Sequence, residues 1–327
     1  MSSSRFLLFP LVLSFILPFP LYPRQIPVHV ERLTLNSIAV ASASSAVAVG
    51  EGGLVARTTD GGAHWLYLPA AGGQSNDLYS VSFSDHQTGW AVGIRGVILK
   101  TTDGGASWTV RDSTSNKDYF GVYFISRSTG WIVGTDGIIL KTTDEGKSWK
   151  RLHGNLTDNI WGVQFANTKK GWIVGASGTI LRSIDGGISW QAADTRLYNA
   201  YLCLHFLDDN TGWIAGGYGA ILKSTDGGRK WVRQNLMKDY YLFKTKNFHY
   251  GVDFFDARTG VVCGSAGTLM RTTDGGSNWA QITGPITEVL RCFRHADAKI
   301  GWAVGSGCAI LKTTDAGATW KVQSPAP

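Results

Sequence analysis

An eight-residue turn returns seven times along this chain of 327 residues, and no other feature limits the possible folds as much. It reads TTDGGAHW (58–65), TTDGGASW (101–108), TTDEGKSW (142–149), SIDGGISW (183–190), STDGGRKW (224–231), TTDGGSNW (272–279) and TTDAGATW (313–320). The aspartates Asp60, Asp103, Asp144, Asp185, Asp226, Asp274 and Asp315 stand 43, 41, 41, 41, 48 and 41 residues apart. A period near 41 residues is that of a propeller blade. Each period holds four strand-like pieces, such as the alternating Tyr79–Phe83, the Gly-Trp-Ala-Val-Gly piece 89–93, Val97–Lys100, and a fourth piece starting at the Trp. Four antiparallel strands repeated seven times bury themselves by closing radially. The expected fold is all-β, a seven-bladed β-propeller of four-stranded antiparallel blades with one aspartate turn per blade.

The turn has a local explanation. A short Asp side chain accepts hydrogen bonds from backbone N–H groups two or three residues on. The Gly after it allows a positive φ, and the Trp folds back to bury its ring over the hairpin. Seven carboxylates in one motif invite a metal or catalytic reading. Metal ligands must converge, however, and these stand one per blade around a ring. The aspartates therefore read as structural, and neither metal nor cofactor is expected.

The pattern S/T-x-D-x-G-x-x-W is similar to the Asp-box, or BNR repeat, of sialidases and several other propeller families. The longer stretch GWAVGIRGVILKTTDGGASW (89–108) resembles the photosystem II stability and assembly factor family and its bacterial relatives. The resemblance spans about residues 33–322. It implies a lumenal or periplasmic propeller that binds newly made reaction-centre protein and assists photosystem assembly without catalysis. The basic surface patch that the resemblance implies as a contact has no residue-by-residue match here. Blade 1 also departs from the pattern, with Val47 where later blades have Trp or Val in the second strand.

The N-terminus differs from the repeats. Arg5 precedes an apolar run, 6–22, interrupted by Pro10, Pro18 and Pro20. A basic start and a short apolar stretch have the form of a secretory signal, with an uncleaved membrane anchor as the alternative. Residues 1–24 are thus read as signal or anchor and residues 25–327 as one propeller domain. The chain is expected to be exported, to periplasm or thylakoid lumen. Cys203, Cys263, Cys292 and Cys308 show no C-x-x-C spacing. They read as buried fillers, while export would permit disulfides.

The formal net charge is +7. One basic residue per blade sits in the third strand (Arg57, Lys100, Lys141, Arg182, Lys223, Arg271, Lys312), balanced by the seven turn aspartates. The excess lies in the non-repeated parts, where it would steer an acidic partner. No stripe of Lys and Arg interleaved with aromatics runs through several blades, so nucleic acid is not expected.

In a repeat protein, function concentrates where the consensus fails. The largest break is a seven-residue insertion between blades 5 and 6, within VRQNLMKDYYLFKTKNFHYG (232–251). Its Arg233, Lys238, Lys244, Lys246, Tyr240 and Tyr241 suit protein contact, because Tyr and Arg are favoured at interfaces. The competing reading is an extended outer strand packed on a blade edge. In blade 7, His295 occupies the position of Phe83, Phe124, Phe165, Phe206 and Phe254, flanked by Arg291 and Arg294. This group either binds a carboxylate or tunes a proton site, or is a hydrogen-bonded histidine at the closure seam with arginines reaching solvent. Arg95 and Tyr218 sit in second-to-third-strand turns on the face of the insertion. Cys308 takes the place of a turn glycine.

An enzyme of the sialidase type would need converging acids, or a Tyr nucleophile with an acidic partner. The first strands supply few acids, namely Asp253, Asp256 and Glu288. No G-x-S-x-G, H-E-x-x-H or phosphate loop is present. The reading is a non-catalytic, membrane-proximal, monomeric propeller that binds protein; the resemblance points to a photosystem II reaction-centre subunit. The alternatives are an exported bacterial propeller binding carbohydrate or envelope protein, and a sialidase-like glycosidase.

Overall fold

Every second strand is buried from end to end: Ala46–Gly50, Gly89–Gly93, Gly130–Gly134, Gly171–Gly175, Gly212–Gly216, Gly260–Gly264 and Gly301–Gly305. A strand buried on both faces needs a packing layer on each side of its sheet. Radial packing meets this need, because each blade is covered by the blades before and after it. A computed structural model describes residues 30–69, 75–112, 115–152, 156–193, 199–236 and 247–323. It has seven antiparallel blades, 35–69, 78–112, 119–152, 160–192, 201–233, 249–282 and 290–322, whose strands run in chain order from the axis outward. The fold is the one the repeat predicts. Residues 1–24 lie outside the described residues.

Aromatic rings hold one blade to the next. The second-strand Trp of one blade stacks on the last first-strand Phe of the next, as in Trp90 on Phe124, Trp131 on Phe165, Trp172 on Phe206 and Trp213 on Phe254, with centroids 3.5–3.6 Å apart. The turn Trp of the same blade meets that Phe edge-on, as Trp149 meets Phe124 and Trp190 meets Phe165. Each ring thus has a stacked and a perpendicular neighbour, both favourable for aromatic quadrupoles. The Phe also lies flat on the first Gly of the second strand, and a Cβ at Gly171 would occupy the space of the Phe165 ring.

The aspartate turn adds a longer reach to the expected one. Asp226 accepts from the Arg229 N–H three residues on, and in blade 2 Asp103 accepts from the N–H of Ser107, four residues on, at 2.9 Å. Thr101 Oγ1 donates to Asp103 and accepts from the Gly105 N–H, which closes a second loop inside the turn. The same four-residue reach recurs at all seven aspartates. At Asp144, hydrogen bonds from the Ser148 hydroxyl and N–H lower the carboxyl pKa to about 2. The aspartates are therefore saturated by their own turns.

The third-strand cations use a different partner from the one charge counting suggests. Lys141 Nζ donates to the Gly186 carbonyl in the next blade's turn at 3.0 Å, and Trp131 Nε1 donates to the same oxygen at 3.1 Å. Arg57 and Arg271, which follow Val47 and Val261 instead of Trp, reach the Gly104 and Ala316 carbonyls with Nε. A longer forked base thus makes the bond where the indole is missing. Lys312 spans the closure to the Gly61 carbonyl. Closure of the ring also includes a bridge between Thr34 and Ser306 and the bond from Cys308 N–H to Leu33 O. Among the described residues no N-terminal strand joins blade 7.

None of the four cysteines forms a disulfide, and all are buried. Cys308 holds φ near 50°, the left-handed conformation of the turn glycine it replaces.

Candidate functional site: the axial channel and its mouth

Each first strand carries a bulge at its second residue. The pairing slips between Leu35 and Ser37, Leu78 and Ser80, Tyr119 and Gly121, Ile160 and Gly162, Tyr201 and Cys203, His249 and Gly251, and Leu290 and Cys292. An extra residue in one strand is left unpaired and re-aims its side chain. The bulge presses the chain onto the last Gly of the second strand, where a Cβ on Gly134 would fall on the carbonyl oxygen of Asp118. The bulged residues are Asn36, Tyr79, Phe120, Trp161, Leu202, Tyr250 and Arg291. All are half-buried and all line an axial cavity of about 530 Å³. They form a collar with four aromatic rings and one cation. Tyr79 and Phe120 lie 5.5 Å apart, and the Arg291 guanidinium sits 4.6 Å over the Tyr250 ring.

The collar opens on the face that carries the second-to-third-strand turns. Those turns bond to the connections between blades: Ile94 N–H to Asp77 O, Arg95 N–H to the Asp118 carboxylate, and Gly219 N–H to Asn247 O. Arg95 and Tyr218 are exposed on this face at positive φ. Tyr218, two-thirds exposed, lies 6.3 Å from Phe248, which stacks at 6.0 Å on Tyr250. An aromatic path therefore runs from the surface through Tyr218, Phe248 and Tyr250 to Arg291. Lys238, Tyr240, Tyr241, Lys244 and Lys246 lie outside the described residues. The insertion begins at Asn235–Leu236 by pairing in parallel with Asn278 and Trp279 on the outer edge of blade 6, and Arg233 just before it is exposed.

Deeper in the channel, a buried carboxylate joins three blades. Asp253, in the first strand of blade 6, receives His205 Nδ1 of blade 5 at 2.7 Å and His295 Nδ1 of blade 7 at 3.0 Å. The backbone N–H groups of Phe254 and His295 also donate to it. Burial opposes its ionisation, but the two imidazoles outweigh it and hold the Asp253 carboxyl well below the usual range. His295 is partly buried, which disfavours its cation, but the bond to Asp253 wins and raises its pKa. His295 is thus a hydrogen-bonded histidine whose bond is made to blade 6, on a strand that also flanks blade 1. Its neighbours Arg291 and Arg294 are both partly exposed. Arg291 lies in the collar and Arg294 lines the channel.

The core of blade 7 remains filled because the aromatic has moved. Phe293, two residues earlier, covers Gly301 and meets Trp320 edge-on, the contacts that Phe83 or Phe254 makes in its own blade. Phe255 packs on Phe293 at 5.6 Å. The position His295 occupies is therefore vacated by the core.

Comparison with known proteins adds to this geometry. A family model described as photosynthesis system II assembly factor YCF48 matches residues 70–156, 152–240, 193–271 and 239–323. A solved structure titled as YCF48 bound to D1 peptide superposes with a TM-score of 0.71 at 20% identity, covering 87% of this chain and 94% of its own. YCF48 from Cyanidioschyzon merolae gives 0.69 at 20% identity, with 89% and 98% covered. The GH74 enzyme of Niastella koreensis gives 0.71 at 15% identity, covering 88% of this chain and 54% of the enzyme. At such identities the structural likenesses show the fold alone. No curated protein sequence matches the chain significantly.

Proposed function

Because the chain belongs to the photosynthesis system II assembly factor YCF48 family, we propose that it is a non-catalytic, protein-binding propeller whose partner is a photosystem II reaction-centre subunit. The relative solved with a D1 peptide supports this choice of partner. The observation that carries the reading is the path from Tyr218 through Phe248 and Tyr250 to Arg291. Rigid aromatic anchors beside an arginine are the composition that interfaces favour. The basic composition of the insertion, Arg233 to Lys246, suits the steering of an acidic partner. A non-catalytic role agrees with Asp253, whose two oxygens are occupied by imidazole and backbone donors instead of being held ready for a substrate. The basic-then-apolar N-terminus supports export to periplasm or thylakoid lumen, where a monomer held close to the membrane would meet its partner.

Capture from membranes of the source organism tests the reading. Residues 25–327 serve as bait beside two variants: Tyr218→Ala with Arg291→Gln, and Arg233, Lys238, Lys244 and Lys246 each changed to Ala. Wild type should retain a reaction-centre subunit, and the first variant should lose most of it. Retention of the same subunit by both variants would move the contact off this face. Retention of envelope protein or glycan in place of any photosystem subunit would favour the exported bacterial alternative and leave the family as ancestry.

A further inference from the structure

The geometry points to a second site, inside the axial channel, for a small organic carboxylate with a planar apolar body. Its carboxylate would be held by Arg294 and His295, and its body would lie against the collar rings of Tyr79, Phe120 and Trp161. This goes beyond the docking reading and uses different charged residues.

Arg294 projects into the channel that Asp253 and His295 also line. Tyr123 of blade 3 lies across the channel within reach of its field, and the thiols of Cys203, Cys263 and Cys292 surround it. Its N–H bonds the Phe293 carbonyl, and among the described residues no carboxylate lies within ion-pair distance of it. The nearby Asp253 is committed to two imidazoles and two backbone N–H groups. A half-buried guanidinium with no carboxylate at ion-pair distance has donors left for a further anion, and a bound carboxylate would accept charge-assisted bonds from it. His295 spends Nδ1 on Asp253, which leaves Nε2 for a ligand, and its side chain is 29% exposed to the channel. The channel's formally charged lining residues are Arg291, Arg294 and Asp253, which favours anions even with both histidines neutral. A cavity of about 530 Å³ has the size of a small-molecule pocket. The rings of Tyr79, Phe120 and Trp161 line the same cavity as the cation, as a flat body attached to a carboxylate would require. The exchange of core roles in blade 7 fits the same purpose, since moving the phenyl ring to Phe293 releases the sixth strand position for an imidazole without emptying the core.

The test is calorimetric titration of residues 25–327 with three probes: 3-phenylpropionate, the uncharged 3-phenylpropanol, and acetate. Phenylpropionate should bind about tenfold or more tightly than either of the others, because each supplies only one of the two contacts. Arg294→Gln should abolish the preference for acid over alcohol. Since removing Arg294 can disturb folding, the decisive variant is Phe293→Val with His295→Phe. It copies the Val81 and Phe83 pattern of blade 2, where the preceding blade likewise has Val in place of Trp. This variant should stay folded, melting several degrees below wild type because Asp253 loses one imidazole, and should bind phenylpropionate several-fold more weakly. Equal binding of acid and alcohol, undiminished binding by the folded double variant, or no saturable binding at millimolar ligand would each overturn the site. All three results are independent of the partner-capture outcome.

Discussion

Asp253→Asn should be the most informative single change, because one carboxylate joins blades 5, 6 and 7. Asn keeps the shape but removes the charge, so two hydrogen bonds to imidazole lose their ionic component. Hydrogen bonds to charged groups contribute about 1.5–3 kcal/mol each, and breaking a buried charged cluster costs about 3–5 kcal/mol. Part of this is recovered because Asn is cheaper to bury, so the expected loss is about 3 kcal/mol. For a domain of this size that corresponds to a fall in Tm of roughly 5 °C. The pH dependence gives a second signature. The folded pKa of Asp253 is depressed, so its contribution is present above the unfolded carboxyl pKa near 4 and fades as the pH falls through the lower folded value. The folded pKa of His295 is raised, so its contribution is complete below the unfolded value near 6.5 and is lost as the pH rises through the folded value. The gap between wild type and variant should therefore be widest at about pH 5–6 and narrower at pH 8.5. Thermal melts followed by circular dichroism at both values measure it. A gap below about 2 °C throughout, or one that widens toward pH 8.5, would refute the assignment of Asp253 as the ionic centre of the cluster.

Three further outcomes are expected. Gly134→Ala places a methyl group on the Asp118 carbonyl oxygen at the bulge, and should cost more than about 3 kcal/mol; a variant with near-native urea stability would argue against the close approach. Trp131→Phe keeps a ring on Phe165 but removes the indole donor to Gly186 O. Lys141 still donates to that oxygen, so the loss in chemical denaturation should stay near 1 kcal/mol beyond the smaller ring, well short of the 3–5 kcal/mol of Trp→Ala. Burial lowers the His249 pKa to about 4. NMR titration should find that imidazole neutral down to about pH 5, with stability falling as the unfolded-state histidine takes up protons below pH 6.5, and a midpoint near 6.5 would contradict its burial.

The fold was legible because its determinants repeat. Seven aspartate turns at nearly constant spacing identify the blade, and the alternation of Val122 and Phe124 identifies the buried face of the innermost strand. The collar was not legible, because a bulge is a mismatch between two strands and leaves no residue type of its own. The nearest signal is a small residue, such as Gly121, Gly162 or Cys203, directly after a large one at the start of each first strand. The carboxylate cluster was hidden for another reason. His205 and Asp253 hold equivalent positions in consecutive blades, but the seven-residue insertion places them 48 residues apart, so the period of 41 does not pair them. His295 was correctly singled out as a break in the consensus. The compensating shift of the aromatic to Phe293 explains why the blade tolerates it.

Each four-stranded blade is contiguous in sequence, and the ring is joined at Lys312 and Gly61 by the same side-chain-to-carbonyl bond used at Lys141 and Gly186. The junction of first and last blades is thus chemically one seam among seven. An architecture of this kind is nearly indifferent to where its chain is cut and rejoined. New termini could be opened in any connection between blades, and individual blades exchanged between relatives, with the junction chemistry left intact.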